Sequence, residues 1–103
     1  MRFESEKHNA PRPTLRTIRR ACANELYRAL KRLKLHVPAD KVKEAEAIYV
    51  RKVIGHLEWI TNNRSDRSKL ADWWDEAVSE DIASLWGVDR ARLSRAFRDA
   101  FGG

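Results

Sequence analysis

The chain has 103 residues, 43% hydrophobic and 35% charged, which is the size and composition of one folded domain rather than two. No segment approaches the roughly 20 consecutive apolar residues of a membrane-spanning helix, and the first residues lack the apolar stretch of a signal peptide. Its single cysteine excludes an internal disulfide, so we expect a cytoplasmic protein without a membrane partner. Lys and Arg outnumber Asp and Glu by 21 to 15, and the net charge of +6 favours a polyanionic partner.

The first predicted helix follows a tail. Residues 1–12 carry mixed charges and no apolar period, which predicts a flexible segment. Pro13 and Thr14 suit the start of a helix, as a first-turn proline and a capping threonine. Apolar residues then recur at spacings of three and four, which predicts an amphipathic helix to about Leu35. They are Leu15, Ile18, Cys22, Leu26, Ala29 and Leu33.

A second long helix is predicted from about Lys41 to Ile60 or Thr61, after the break at Pro38 and with Asp40 as a cap. Its apolar stripe is Val42, Ala45, Tyr49, Val53, Leu57 and Ile60. The β-branched and aromatic run at 47–50 makes a strand the alternative, but the spacing of three and four persists for five turns and favours a helix.

Three shorter helices are predicted after a loop at 62–66. The first has its apolar residues at Leu70, Trp73, Trp74, Ala77 and Val78. Ser79 can cap the second, which Gly87 ends, and Asp89 can cap the last. The inner face of the last helix is Leu93, Ala96, Phe97 and Ala100. The prediction is therefore an all-α single domain over residues 13–103, with about five helices: two long N-terminal ones and a C-terminal three-helix unit.

Residues 79–101 meet the requirements of a helix-turn-helix. Two short helices joined by a three-residue turn need a small residue where they touch, here Ala83, and a glycine at the turn, here Gly87. Val88 supplies the apolar side chain that fills the corner, and Asp89 caps the second helix. This pattern predicts a helix-turn-helix with Leu93 and Phe97 directed into the core.

The stretch 79–102 resembles the DNA-binding segment of the AraC/XylS-type transcription regulators. The residues that carry the resemblance are Ile82-Ala83, Gly87-Val88, the run Leu93-Ser94-Arg95-Ala96-Phe97-Arg98 and the closing Gly102. Asp89 stands where that family has a serine cap. Family members carry two such motifs joined by a long helix, whereas this chain contains one. The resemblance implies a DNA-binding helix-turn-helix and a role in transcription regulation.

The last helix offers side chains that could read DNA. On a helical wheel, the side opposite the inner face holds Ala91, Arg95 and Arg98, and Ser94 flanks it. These four are the candidate base-reading residues. Arginine suits a bidentate contact with guanine in the major groove, and alanine suits a thymine methyl. Arg90 and Arg92 are candidate phosphate contacts. The alternative is a helix pair whose arginines are only solvated.

Basic residues also crowd the first helix, away from its apolar stripe. The candidate phosphate contacts there are Arg16, Arg19, Arg20 and Lys31. The same helix could instead bind an acidic protein or structured RNA, which makes an adaptor or an RNA-binding protein the alternative function. An acidic group precedes the helix-turn-helix turn and would repel DNA, so we expect it to point away from DNA or against basic residues. It consists of Asp72, Asp75, Glu76, Glu80 and Asp81.

The remaining conspicuous residues favour structural roles. Trp74 and Trp86 are predicted in the core, and one of Trp59 and Trp73 half exposed. The histidines and the cysteine lack metal-ligand spacing, and no catalytic or cofactor-binding pattern occurs, so we expect no metal, no cofactor and no enzyme. One reading helix covers few base pairs, which predicts a homodimer on a paired double-stranded DNA site. Its contact surface is predicted on the second helix, at Val50, Ile54 and Leu57.

Overall fold

The computed structural model describes residues 13–101, which form six α-helices and contain no strand. The helices are α1 (Leu15–Leu33), α2 (Ala39–Gly55), α3 (Leu57–Asn62), α4 (Arg67–Ala77), α5 (Ser79–Trp86) and α6 (Arg90–Phe101). The all-α class is confirmed, and the strand alternative at 47–50 is wrong. There are six helices rather than about five. The tail predicted for residues 1–12 lies outside the described residues.

The first helix begins at the predicted cap. The Thr14 side chain accepts a hydrogen bond from the Thr17 backbone N–H at 3.1 Å. The helix ends at Leu33, and Lys34 takes a left-handed conformation with φ 55°. The predicted stripe is buried from Ile18 onward, but Leu15 is 47% exposed. Leu15 lies in the first turn, which projects past the core that begins at Ile18.

The predicted second helix is interrupted at His56. This residue has φ −126° and ψ 27°, and its N–H bonds to the carbonyl of Val53 instead of continuing the α-helical pattern. The His56 ring Nδ1 lies 3.2 Å from the Lys52 carbonyl oxygen, the acceptor that its backbone N–H does not use. A single helix from Lys41 to Ile60 was therefore the wrong prediction, because one non-helical residue divides it into α2 and α3.

An aromatic cluster forms the centre of the core. Trp74, on α4, stacks on Phe97, on α6, with ring centroids 4.0 Å apart and planes 9° apart. Tyr49, on α2, meets both rings edge-on at 6.1 and 6.3 Å. Trp86 is half-buried against this core, and its Nε1 donates to the Lys41 carbonyl at 3.2 Å. The core position predicted for Trp74 is thus confirmed, while Trp86 links α5 to the start of α2.

The most extensive helix–helix interface joins α1 and α6. The two helices run antiparallel: Arg92 at the start of α6 donates to the Leu33 carbonyl at the end of α1, at 3.0 Å. At the other end of α6, the Phe101 ring lies 5.8 Å from the Arg28 guanidinium carbon. The helix that carries the candidate reading residues is therefore held along the first helix as well as by its helix-turn-helix partner α5.

Candidate nucleic-acid interface

The turn between α5 and α6 has the geometry that its residues predict. Gly87 adopts φ +66°, a left-handed conformation that L-residues with a Cβ avoid. The Val88 N–H then bonds to the Ala83 carbonyl at 3.0 Å and closes the end of α5. An oxygen of Asp89 accepts from the Arg92 N–H at 3.0 Å, so Asp89 is the predicted cap of α6.

Ser79 does not cap α5, contrary to the prediction. Its side chain is fully buried, and its hydroxyl donates to the Asp75 carbonyl at 2.5 Å. Only Val78 separates α4 from α5, so the serine hydroxyl satisfies a carbonyl at the end of α4 instead of an N–H at the start of α5. The junction between these two helices is consequently tight.

The outer side of α6 carries fewer free cations than its sequence suggests. Ala91 and Arg95 are exposed and Ser94 is half-buried, whereas Leu93 and Phe97 face the core as predicted. Within residues 13–101, Arg95 makes no ion pair and no hydrogen bond through its side chain. Asp99 is also exposed, one turn after Arg95, and sequence reasoning overlooked it although its spacing of four was visible.

Arg98 is held by two carboxylates of α4. Its Nη2 lies 2.5 Å from Asp72 Oδ1 and 2.5 Å from Asp75 Oδ2, and its Nε lies 3.1 Å from the same Asp75 oxygen. These charge-assisted bonds raise the pKa of the Arg98 guanidinium above its ordinary value. The expectation of a solvent-facing Arg98 needs correction, because α4 covers that side of α6. Arg98 would have to leave both partners to reach a base.

The two candidate phosphate contacts on α6 also have partners within the chain. Arg90 donates to the Asp75 carbonyl at 2.7 Å and to the Ser79 hydroxyl at 3.0 Å. Arg92 donates to the Leu33 carbonyl at 3.0 Å. These bonds fix α6 against α4 and α1, so that Arg95 alone among the four arginines of α6 has no such partner in the described residues.

Four of the five residues of the acidic group lie against basic residues of the same chain, which was one of the predicted arrangements. Asp72 and Asp75 pair with Arg98, as described above. The remaining contacts are Glu80 with Arg90 at 3.7 Å and Asp81 with Lys52 at 3.6 Å. The negative charge before the turn is thus partly neutralised internally.

Exposed cations without an acidic partner in the described residues line one side of α1. We call it the α1 basic face; its residues are Arg16, Arg20, Tyr27, Lys31 and Lys34, all exposed. Lys34 directly follows the last residue of α1, and from Arg16 to Lys31 the face extends over roughly 22 Å of helix at 1.5 Å per residue. None of the ion pairs within residues 13–101 involves α1. Glu25 is the only acidic residue in this helix, and it accepts a hydrogen bond from the buried Tyr49 hydroxyl.

Tyr27 is the member of this face that sequence reasoning missed. Its side chain is 62% exposed, and the Lys31 ammonium lies 5.4 Å from the ring centroid. Its position four residues before Lys31 could have placed it on the same side of the helix. Arg19, also predicted as a phosphate contact, is exposed and lies beside this face.

The surface predicted for a second copy is only partly exposed. Ile54 is 50% exposed and Leu57 is half-buried, but Val50 is 8% exposed and belongs to the core. Trp59, in α3, is 40% exposed, as predicted for one of two tryptophans. Val50 therefore drops out of the predicted contact surface.

No family model matches the chain, and no curated protein or solved structure is significantly similar to it. None of the described helices combines the length and apolarity needed to cross a membrane. The function proposed below accordingly depends on the geometry of α1 and α6.

Proposed function

We propose that this protein binds double-stranded DNA, with the α1 basic face on the phosphates and α6 toward the major groove. The observation that carries the proposal is the α1 basic face, whose cations are exposed and have no acidic partner within residues 13–101. Such a surface binds a phosphate backbone by releasing counterions, independently of sequence. Arg16, Arg19, Arg20 and Lys31 are the phosphate-contacting residues in this proposal.

Sequence reading is assigned to the exposed side of α6. Arg95 is the cation there without an internal partner, and a guanidinium matches the O6 and N7 acceptors of guanine. Ala91 and Ser94 lie close to it and contribute a methyl group and a hydroxyl. The turn at Gly87 and the resemblance to AraC/XylS-type regulators support a regulatory role for this contact. Because one helix reads few base pairs, the proposal includes a homodimer on a paired site.

Arg90, Arg92 and Arg98 act in this proposal as positioning residues. Each would have to give up hydrogen bonds seen in the structure to contact DNA. Their bonds to α4 and α1 set the orientation in which α6 presents Arg95. Substituting Arg98 should therefore change binding through the position of α6, and its effect should include a loss of thermal stability.

The experiment is a fluorescence-anisotropy titration with random duplex DNA at about 50 mM and about 200 mM NaCl, the range over which phosphate contacts lose affinity steeply. Binding at the lower salt concentration that weakens at the higher one supports the proposal. A sequence selection with wild type and Arg95→Ala then tests reading, since the variant should bind random DNA equally well but with relaxed sequence preference. Absence of binding to duplex DNA at low salt and micromolar protein would overturn the proposal.

A protein partner is the second candidate, and the exposure of Tyr27 favours it. Aromatic residues, tyrosine among them, are enriched at protein interfaces and at their energetic centres. An adaptor would use the α1 basic face to dock an acidic protein, and α5–α6 would serve only as a packing unit. The same titration separates the candidates: failure on duplex DNA favours the adaptor, and preference for a structured RNA hairpin favours RNA binding.

A further inference from the structure

A cleft of about 500 Å³ opens between α1, the segment from α2 to α4 and the end of α6, and no residue of the α1 basic face lines it. This volume falls within the range of small-molecule sites. Its walls are mainly apolar, with side chains from five helices, α1 to α4 and α6. They include Ile18, Val53, Leu57, Ile60, Leu70 and Trp73. Protein interiors are close-packed, so an opening of this size in a small domain is a feature of the surface that a ligand can fill.

Cationic side chains outnumber acidic ones in the lining of the cleft. Its lining includes three arginines, Arg28, Arg64 and Arg67, and one carboxyl group, Glu25. Burial raises the pKa of Glu25, and the Tyr49 hydroxyl donates to its carboxyl oxygen. The single acidic group is thus already hydrogen-bonded within the protein. The excess of guanidinium groups makes the cleft complementary to an anion.

The arginines differ in how firmly they are held. Arg67 Nη1 donates to the Phe101 carbonyl at 2.8 Å, and the Arg28 guanidinium lies 5.8 Å from the Phe101 ring centroid. Arg64 is exposed and has no hydrogen-bond or ion-pair partner within residues 13–101. An anionic group at the edge of the cleft would therefore meet Arg64 with all of its donors available.

We infer that this cleft binds a small amphipathic carboxylate, with its alkyl chain against Ile18, Leu57 and Leu70 and its carboxylate at Arg64. Charge complementarity identifies the ligand class: the walls are apolar, and cations outnumber the one internally bonded carboxyl group. No residue of the proposed DNA-binding surface lines this cleft, and its occupation does not depend on whether the protein binds DNA.

The experiment measures binding of decanoate and of 1-decanol to the full chain by isothermal titration calorimetry. The two probes share the alkyl chain and differ in head-group charge. Wild type should bind decanoate saturably, with a stoichiometry of one per chain, and should bind decanol about tenfold more weakly, which is the ratio expected for a difference of about 1.4 kcal/mol. Arg64→Ala should abolish this preference and leave decanol binding unchanged. The matched control is Arg51→Ala, which removes an exposed arginine of α2 outside the cleft. This variant should keep the preference for decanoate.

A cleft-filling variant locates the binding. Ala21 is exposed and lines the cleft, so Ala21→Trp should abolish binding of both probes. Asn24→Trp, on the exposed side of the same helix and outside the cleft, should retain it. Circular dichroism verifies that both variants are folded. The proposal is overturned if decanoate does not bind, if Ala21→Trp binds like wild type, or if Arg64→Ala keeps the preference for decanoate. It is also overturned if the protein is a dimer that Ala21→Trp converts to a monomer, because a second copy would then occupy the cleft.

Discussion

The salt dependence of DNA binding tests the α1 basic face directly. Arg16 and Arg20 lie one helical turn apart, are exposed, and make no ion pair within residues 13–101. Replacing both by alanine should leave the fold intact, because alanine is the strongest helix former and neither side chain packs in the core. The substitution should remove two phosphate contacts from the proposed interface.

The magnitude follows from counterion release. Each neutralised phosphate contributes about 0.9 to the slope of log affinity against log salt concentration, so the double variant should lose about 1.8 from that slope. The four proposed α1 contacts give the wild type a slope of about 3.6, and a fourfold rise in salt should then weaken its binding about 150-fold. With two contacts left, the same rise should weaken the double variant only about 12-fold.

The assay is anisotropy of a labelled duplex, titrated at several NaCl concentrations with each protein. The matched control is the double variant Lys43→Ala and Arg51→Ala, which removes two exposed cations from α2. This control should keep the wild-type slope although its net charge is the same as that of the α1 variant. Equal flattening in both variants would show that net charge rather than the α1 basic face determines binding, and an unchanged slope in the α1 variant would refute its phosphate contacts.

Three further predictions concern stability and reactivity. Arg98→Ala removes the guanidinium that bonds to Asp75, whose other carboxylate oxygen is already buried without a partner in the described residues. The free energy of unfolding, measured by thermal denaturation, should therefore fall by about 1–2 kcal/mol. Arg95→Ala should change it by less than about 0.5 kcal/mol. Burial raises the pKa of Glu25 above its ordinary 4.5, so the charged carboxylate opposes folding. Glu25→Gln should therefore increase the free energy of unfolding, measured in urea, at pH 7. This gain should vanish below pH 4.5, where the carboxyl group is protonated in the folded and the unfolded state. Burial raises the pKa of Cys22 to about 12, so at pH 8 its thiol should react with a disulfide reagent only after unfolding, and rapid reaction of the native protein would contradict this burial.

Several features that depend on local sequence could be predicted, whereas the caps predicted at Asp40 and Ser79 are not formed. The Thr14 and Asp89 side chains accept hydrogen bonds from backbone N–H groups at the start of a helix. Gly87 permits the left-handed conformation that ends α5. Buried positions on α1 follow from the spacing of three and four. The break at His56 could not be predicted in this way, because the apolar spacing continues through it from Val53 to Leu57.

The candidate site was predicted less completely, for a physical reason. A helical wheel treats the whole outer side of α6 as solvent-facing, whereas α4 covers the part that holds Arg98. Its partner Asp72 is 26 residues away in sequence, and that pairing exists only once α4 and α6 have packed. The exposure predicted for Arg95 and for the cations of α1 agrees with the structure, because no other helix packs on these side chains.

The antiparallel pairing of α1 with α6 also has a consequence for how the protein forms. In the sequence, α2 to α5 separate α1 from α6, so the interface between α1 and α6 forms only when this long intervening segment closes into a loop. During synthesis on the ribosome, the part of α1 that packs on α6 therefore stays uncovered until α6 has left the exit tunnel. A nascent chain that stops before Arg90 lacks one wall of its core, and we expect it to require a chaperone to remain in solution.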